Sequence, residues 1–307
     1  MKIGVVGAGQ VGATTAQRLA ERELGDVVLA DILEGVPQGK ALDLAESAPV
    51  QRYDVRLSGT NDYRPFEGAS VVILTAGLPR KPGMSRDDLL KKNAEIVTGV
   101  VEKIHPLAPD AFWIVVSNPL DVMTFLVRHR TRLPRSRVVG MAGVLDSARF
   151  RSFLAQAAGV SVRDVQAMVL GGHGDDMVPL VRYATIAGIP VSEWLAADKI
   201  EQMVARTRGG GAEIVSLLKT GSAFYAPSAA AVEMAEAVVR DQKRVLPCCA
   251  FLEGEYGLRD VCVGVPVVLG AKGMERVVDL NLSDAERKAL HASASHVREG
   301  ISALALA

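Results

Sequence analysis

Short apolar runs alternate with helical periodicity through the first half of the chain. Residues 2–6, 27–30, 70–75 and 112–116 are largely apolar stretches, the third reading SVVILT and the fourth FWIVV, with a weaker run at 54–58 and another at 138–141. Between them apolar positions recur at three and four residues, which predicts helices over 10–23, 36–47, 86–105 and 119–130. Strands apolar on both faces and separated by helices predict a parallel sheet covered on both sides. The second half patterns differently. It predicts a helix over 145–158, strands over 165–170 and near 178–186, and helices over 199–219 and 227–241. Two apolar runs, 245–252 and 261–269, then read as antiparallel strands joined across residues 254–257. Ser283 followed by Glu286 reads as a capping box that opens a last helix, ending near residue 304. The expectation is an α/β chain: a doubly wound parallel sheet over residues 1–141, then a mixed α/β unit over residues 142–307.

Composition narrows the function classes. The chain has 307 residues, 49% hydrophobic and 23% charged, enough to bury a full core. Lys+Arg and Asp+Glu balance at 35 each, so no nucleic-acid or anionic membrane partner is expected. No apolar run approaches the roughly 18 residues of a membrane span. The opening MKIGVVGAGQVG lacks the pattern of a signal peptide, and a cytoplasmic location is expected. The three cysteines, Cys248, Cys249 and Cys262, are late, clustered and odd in number, which is no disulfide framework. No His, Cys, Asp or Glu set has metal-ligand spacing, so no metal is expected.

Gly7, Gly9 and Gly12 stand in G-x-G-x-x-G spacing directly after a predicted strand and at the start of a predicted helix. Such glycines permit a tight turn, backbone approach to a pyrophosphate and close helix–strand packing. The free N–H groups of the helix start then face the phosphates. Asp31 ends the next predicted strand, placed to accept from the adenosine ribose hydroxyls and to repel a 2′-phosphate. The group predicts a dinucleotide site for NAD rather than NADP.

Four further segments carry candidate chemistry. The loop AGLPRKPGMSRDDLL, residues 76–90, brings Arg80, Lys81 and Arg86 together, either as a solvated basic turn or as a lid over an anionic substrate. Asp146 and Arg149 in VLDSARF share a helix face, as an ordinary surface pair or as part of a site. His173 in GGHGD sits between Gly172 and Gly174 after a predicted strand, a candidate general base. Asn118 in SNP follows a predicted parallel strand, at the edge where ligands of open sheets lie.

In this order GAGQVG, Asp31, the 76–90 loop, SNP, LDSARF and GGHGD resemble the lactate/malate dehydrogenase family over nearly the whole chain. The phrases EGVPQGKALDL and AGLPRKPGMSR are similar to malate dehydrogenases of the lactate dehydrogenase-like kind. The resemblance implies a Rossmann cofactor domain, a mixed α/β substrate domain and reversible malate–oxaloacetate interconversion with NAD. It implies that His173 is the acid/base, Asp146 its partner, Arg149 the clamp on the C1 carboxylate and Arg86 the polariser of the reacting carbonyl. Arg80 takes the position that selects the other end of the substrate, where lactate dehydrogenases generally carry Gln. The implied cofactor contacts are Gly7, Gly9, Gln10, Val11, Gly12, Asp31, Asn93 and Asn118, with Asn118 also facing the substrate. A homo-oligomer is implied, a tetramer over a dimer.

The sequence also carries a departure. GSAFYAPSAA places Ala223 and Pro227 where lactate dehydrogenases resemble Thr-x-Trp-Ala-Ile. The nearest alternative is an L-lactate dehydrogenase, against which Arg80 argues because a methyl group would leave its guanidinium unpaired. An NAD-dependent glycosidase would need a metal-binding Cys and His. A non-catalytic NAD-binding protein would have no use for His173, Asp146, Arg86 and Arg149 together.

Overall fold

The computed structural model describes residues 1–78 and 86–306, with the side chain of Arg86 left out. The first half follows the predicted alternation: β1 (Lys2–Val6), α1 (Gln10–Glu21), β2 (Asp26–Ala30), α2 (Val36–Gln51), β3 (Leu57–Thr60), β4 (Val71–Leu74), α3 (Arg86–Ile104), β5 (Phe112–Val115), α4 (Leu120–Thr131) and β6 (Val138–Gly140). These strands pair in parallel in the order β3-β2-β1-β4-β5-β6. The order reverses between β1 and β4, which opens a crevice over the carboxyl ends of the strands. β4 and β5 are fully buried along their lengths, as strands packed under helices on both faces must be.

The second half contributes α5 (Ala142–Ala158), short strands β7 (Val165–Gln166), β8 (Val169–Leu170), β9 (Val178–Pro179), β10 (Thr185–Ile186) and β11 (Ile189–Pro190), and helices α6 (Ala197–Leu218) and α7 (Tyr225–Val239). It ends with β12 (Arg244–Glu253), β13 (Arg259–Gly270), β14 (Gly273–Val277) and α8 (Asp284–Ala303). The β12–β13 hairpin docks on the parallel sheet through the single pair Cys249 and Gly140. The main core surrounds the sheet, and a second one, around Phe150, Leu154, Ile186 and Met203, lies under α5 and α6. The Ser283–Glu286 capping box is formed in both directions, at 3.3 and 2.7 Å.

Several elements depart from the sequence pattern. The run 165–170 is broken into β7 and β8, which pair with different partners, β10 and β9. The run 178–186 is broken likewise by a 3-10 turn at Val181–Tyr183. Apolar character marked these segments as buried, yet pairing partners decided where each strand stops. α2 continues through Pro49, because the helix is mostly exposed and the carbonyl freed by the missing N–H can meet water. β3 begins three residues later than its apolar run, and β14 had no run to announce it.

Candidate active site

The glycines after β1 hold the geometry that a dinucleotide needs. Gly7 has φ +99, and a Cβ there would lie 2.7 Å from Thr75 Oγ1. A Cβ at Gly12 would lie 1.7 Å from the Gly7 carbonyl, so α1 rests directly on the turn. Gly9 is the opposite case: nothing stands within 4 Å of the place a Cβ would take. Two glycines close the turn and the middle one faces open space, which fits a pyrophosphate seated at the start of α1. Gln10 and Val11 follow in the first turn of α1, where backbone N–H groups lack helical acceptors. Ser228 of α7 donates to the Val11 carbonyl at 3.0 Å, tying the second half of the chain to this turn.

Asp31, at the end of β2, accepts from the Ala8 N–H at 2.6 Å and from the Leu33 N–H at 3.0 Å. Its carboxylate is thus fixed beside the glycine turn. Ile32 follows it at 86% exposure, a side chain the sequence reading passed over. It stands next to Asp31 as an exposed apolar side chain at the mouth of the crevice.

Asn118 is exposed at the carboxyl end of β5, just before α4. Asn93 is placed differently from a free cofactor contact. It is 1% exposed, its Oδ1 accepts from the Leu78 N–H at 2.8 Å, and its Nδ2 donates to the Asn118 carbonyl at 2.7 Å and to Leu78 O at 3.2 Å. Its amide joins the loop after β4 to the SNP turn. Arg80 lies outside the described residues, as does the side chain of Arg86, whose backbone opens α3.

The proton-transfer candidates do converge. His173 Nδ1 lies 2.9 Å from Asp146 Oδ2, and Asp146 Oδ1 accepts from Arg149 at 3.2 Å. Asp146 and Arg149 are one turn apart on α5, and their side chains are 2% and 12% exposed. This excludes the solvated surface pair that spacing alone left open. Burial would push the His173 pKa down, but the charge and hydrogen bond of Asp146, with a further push from Asp121, outweigh it and hold the imidazole above its ordinary value.

Two groups of residues that support this centre were not legible as such. Gly210 lies in the middle of α6, where a Cβ would meet Arg149 Cδ at 3.1 Å. Gly210 therefore makes room for the Arg149 side chain, and the helical cost of a glycine there is a signal that sequence reading could have used. The His173 loop is also held from beneath. His173 N–H donates to Asp121 Oδ2 at 2.8 Å and Gly172 N–H to Ser293 Oγ at 2.7 Å. A cavity of about 150 Å³ opens beside His173, lined among others by Asp121, Asp176, Ser293 and His296. A larger one, about 400 Å³, lies at the amino ends of the strands near Met1, Ser70 and Arg137, away from these groups. The three cysteines are buried thiols, and burial pushes Cys248 and Cys249 far above the usual thiol range, which makes them inert packing residues.

Comparison with known proteins agrees with this geometry. Residues 1–140 match the lactate/malate dehydrogenase NAD binding domain, and residues 143–305 match the lactate/malate dehydrogenase alpha/beta C-terminal domain. A malate dehydrogenase from Roseiflexus sp. (strain RS-1) is 56% identical over 303 residues, 99% of this chain and 98% of that protein. The structure of malate dehydrogenase from Salinibacter ruber superposes with a TM-score of 0.96 at 53% identity, covering 99% of this chain and 98% of that one. A lactate dehydrogenase from Cryptosporidium parvum, solved with lactic acid and β-nicotinamide adenine dinucleotide, reaches a TM-score of 0.96 at 43% identity, covering 100% and 98%.

Proposed function

The chain belongs to the lactate/malate dehydrogenase family, and we propose that this NAD-dependent dehydrogenase interconverts L-malate and oxaloacetate with His173 as acid/base. The observation that carries the reading is the chain from His173, in the loop after β8, through the buried Asp146 to Arg149, the last two on the α5 that follows the carboxyl end of the parallel sheet. Asp146 accepts from His173 Nδ1, which fixes the tautomer and leaves Nε2 to take the malate hydroxyl proton. The imidazolium so formed is stabilised by the Asp146 carboxylate. Arg149 keeps donors in hand beyond its contact with Asp146; its buried Nε has no partner among the described residues. A carboxylate held bidentately by that guanidinium fixes the reacting carbon. Bound NAD supplies the hydride acceptor.

Asp31 and the Gly7-Gly9-Gly12 turn hold the cofactor, with the first turn of α1 facing its phosphates. The amide of Asn118 lies on the same edge. Arg86 polarises the substrate carbonyl, and Arg80 pairs with the carboxylate that distinguishes oxaloacetate from pyruvate. Unpaired under a closed lid, that charge would cost several kcal/mol.

The assembly is a homo-oligomer, a tetramer rather than a dimer. Support comes from α2, where only Pro37 and Ala41 of sixteen residues are buried and Leu42 and Val50 stand 61% and 79% exposed. Leu217 and Tyr225 are likewise exposed, at 72% and 65%. No helix of the described residues is long and apolar enough to cross a membrane, and a cytoplasmic location fits the reducing surroundings that three free thiols suit.

Loss of NADH absorbance with oxaloacetate and with pyruvate tests the substrate. The expected preference for oxaloacetate is at least about 10²-fold in kcat/KM. Arg80→Gln loses most of the oxaloacetate activity and gains some with pyruvate. Equal rates on both substrates, or an undiminished Gln variant, would remove Arg80 from the reading.

A further inference from the structure

Asp146 fixes the imidazole of His173 at one atom only, Nδ1, and a ring held at one atom can still pivot. Its backbone hinge is rich in glycine: Gly171 and Gly174 have φ +86 and +153, and Gly172 adds no side chain. Yet this hinge is bound on several sides. Gly171 and Gly264 of β13 exchange both backbone hydrogen bonds, at 2.9 and 3.0 Å. The next two N–H groups go to side chains from separate helices, Gly172 to Ser293 of α8 at 2.7 Å and His173 to Asp121 of α4 at 2.8 Å.

Neither acceptor takes part in the proton or hydride chemistry, and both are deeply buried, Asp121 at 5% and Ser293 at 1% exposure. Asp121 costs the fold something. Its second oxygen, Oδ1, is buried with no hydrogen-bond partner among the described residues. Burial pushes its carboxyl above the usual range, against the opposing pull of the His173 N–H. A carboxyl that gives up charge more readily still keeps an acceptor oxygen, and an acceptor is what the loop uses. The fit is close: a Cβ at Gly172 would lie 3.3 Å from Ser293 Oγ and 3.4 Å from Asp121 Oδ2.

We propose that Asp121 and Ser293 are positioning residues, which hold the successive N–H groups of Gly172 and His173 and so fix the point from which the imidazole meets both Asp146 and substrate. The proposal rests on the reading of His173 as acid/base. Its consequence is specific. Releasing the clamp lets Nε2 wander, and a displacement on the order of 1 Å costs about 10²-fold in rate while leaving binding groups elsewhere in place.

The test uses the full chain with NADH and oxaloacetate, and measures kcat, KM and NADH affinity by fluorescence titration. Asp121→Ala is expected to lower kcat roughly 10- to 100-fold, with KM and NADH affinity within about threefold. Ser293→Ala is expected to lower kcat roughly 3- to 10-fold with the same split. Asp121→Asn, which keeps an acceptor oxygen without the charge, is expected to recover most of what the alanine variant loses. Near wild-type kcat in a folded Asp121→Ala protein overturns the proposal, as does an Asn variant no better than the alanine one. So does a parallel collapse of KM and NADH affinity, the mark of general loosening. If Asp121→Ala does not fold, an unchanged kcat in Ser293→Ala overturns it, and the predicted split in that variant upholds it. His173→Asn is measured beside them. An active His173→Asn protein defeats the acid/base reading itself, whereas an inactive one with undisturbed clamp variants defeats the clamp alone.

Discussion

The glycine turn and the His173 centre are built on opposite principles. The turn gathers its working parts from one stretch: Gly7, Gly9, Gly12 and Asp31 span two strands and one helix, and much of what they offer is backbone. The His173 centre draws on α4, α5, α8 and a loop, with Asp121, Asp146, Arg149, His173 and Ser293 scattered over more than half the chain. In the turn, space does the work: Gly12 must be small because the Gly7 carbonyl occupies its Cβ position, while Gly9 faces open space. In the centre, charge and hydrogen bonding do the work, and each group matters through its neighbour. A site made of backbone in one segment is robust to packing elsewhere. A site made of side chains from four elements exists only once the fold is complete.

That contrast breaks if the two regions fail to separate binding from chemistry. The largest effect is expected at the imidazole. His173→Asn should lower kcat by roughly 10²–10⁴-fold while NADH titration shows nearly unchanged affinity. Near wild-type turnover would mean that the buried chain to Asp146 serves structure alone.

Within the turn, two glycines should divide. Gly12→Ala forces a Cβ into the Gly7 backbone, and overpacking of this kind costs about 1–3 kcal/mol of stability, read as a fall in Tm. Gly9→Ala meets only open space, so its Tm should stay near the parent value while NADH binding weakens. Equal Tm losses in the two variants would show that both glycines serve packing.

A smaller discrimination is expected at Asp31. Its carboxylate should favour NADH over NADPH by at least about tenfold in kcat/KM, and Asp31→Ser should narrow the gap. Equal use of both cofactors by the parent enzyme would contradict the placement of the ribose at the end of β2.

The subtlest measurement is a pH profile. Asp146 is the main group holding His173 above its ordinary pKa, against the effect of burial. Malate oxidation needs the neutral imidazole, so its kcat/KM should fall as pH drops through that raised value. Oxaloacetate reduction needs the protonated form and should fall as pH rises through it. Asp146→Asn removes the charge and should move both midpoints to lower pH, besides slowing turnover. Midpoints that stay in place would assign the titration to a group other than His173.

Much of the fold is legible in the sequence. Continuous apolar runs at β1, β4 and β5 named the buried parallel strands, since a strand covered on both faces has no polar side to show. The glycine spacing named the tight turn between β1 and α1, because backbone conformation is a local property. The Ser283–Glu286 box named the start of α8 for the same reason. The family was legible as well, through the motifs that resemble it. It was less informative where pairing is decided at a distance. Runs 165–170 and 178–186 are apolar enough to be strands, but only their partners settled that each is two short pieces. Spacing gave Asp146 and Arg149 a shared helix face and could not say whether water covered it; α6, with Gly210 beneath the guanidinium, decided that. Asp121 and Ser293 carry no motif at all. Their meaning comes from two N–H groups on a loop 52 and 121 residues away, a relation that exists only because α4 and α8 pack against the same turn.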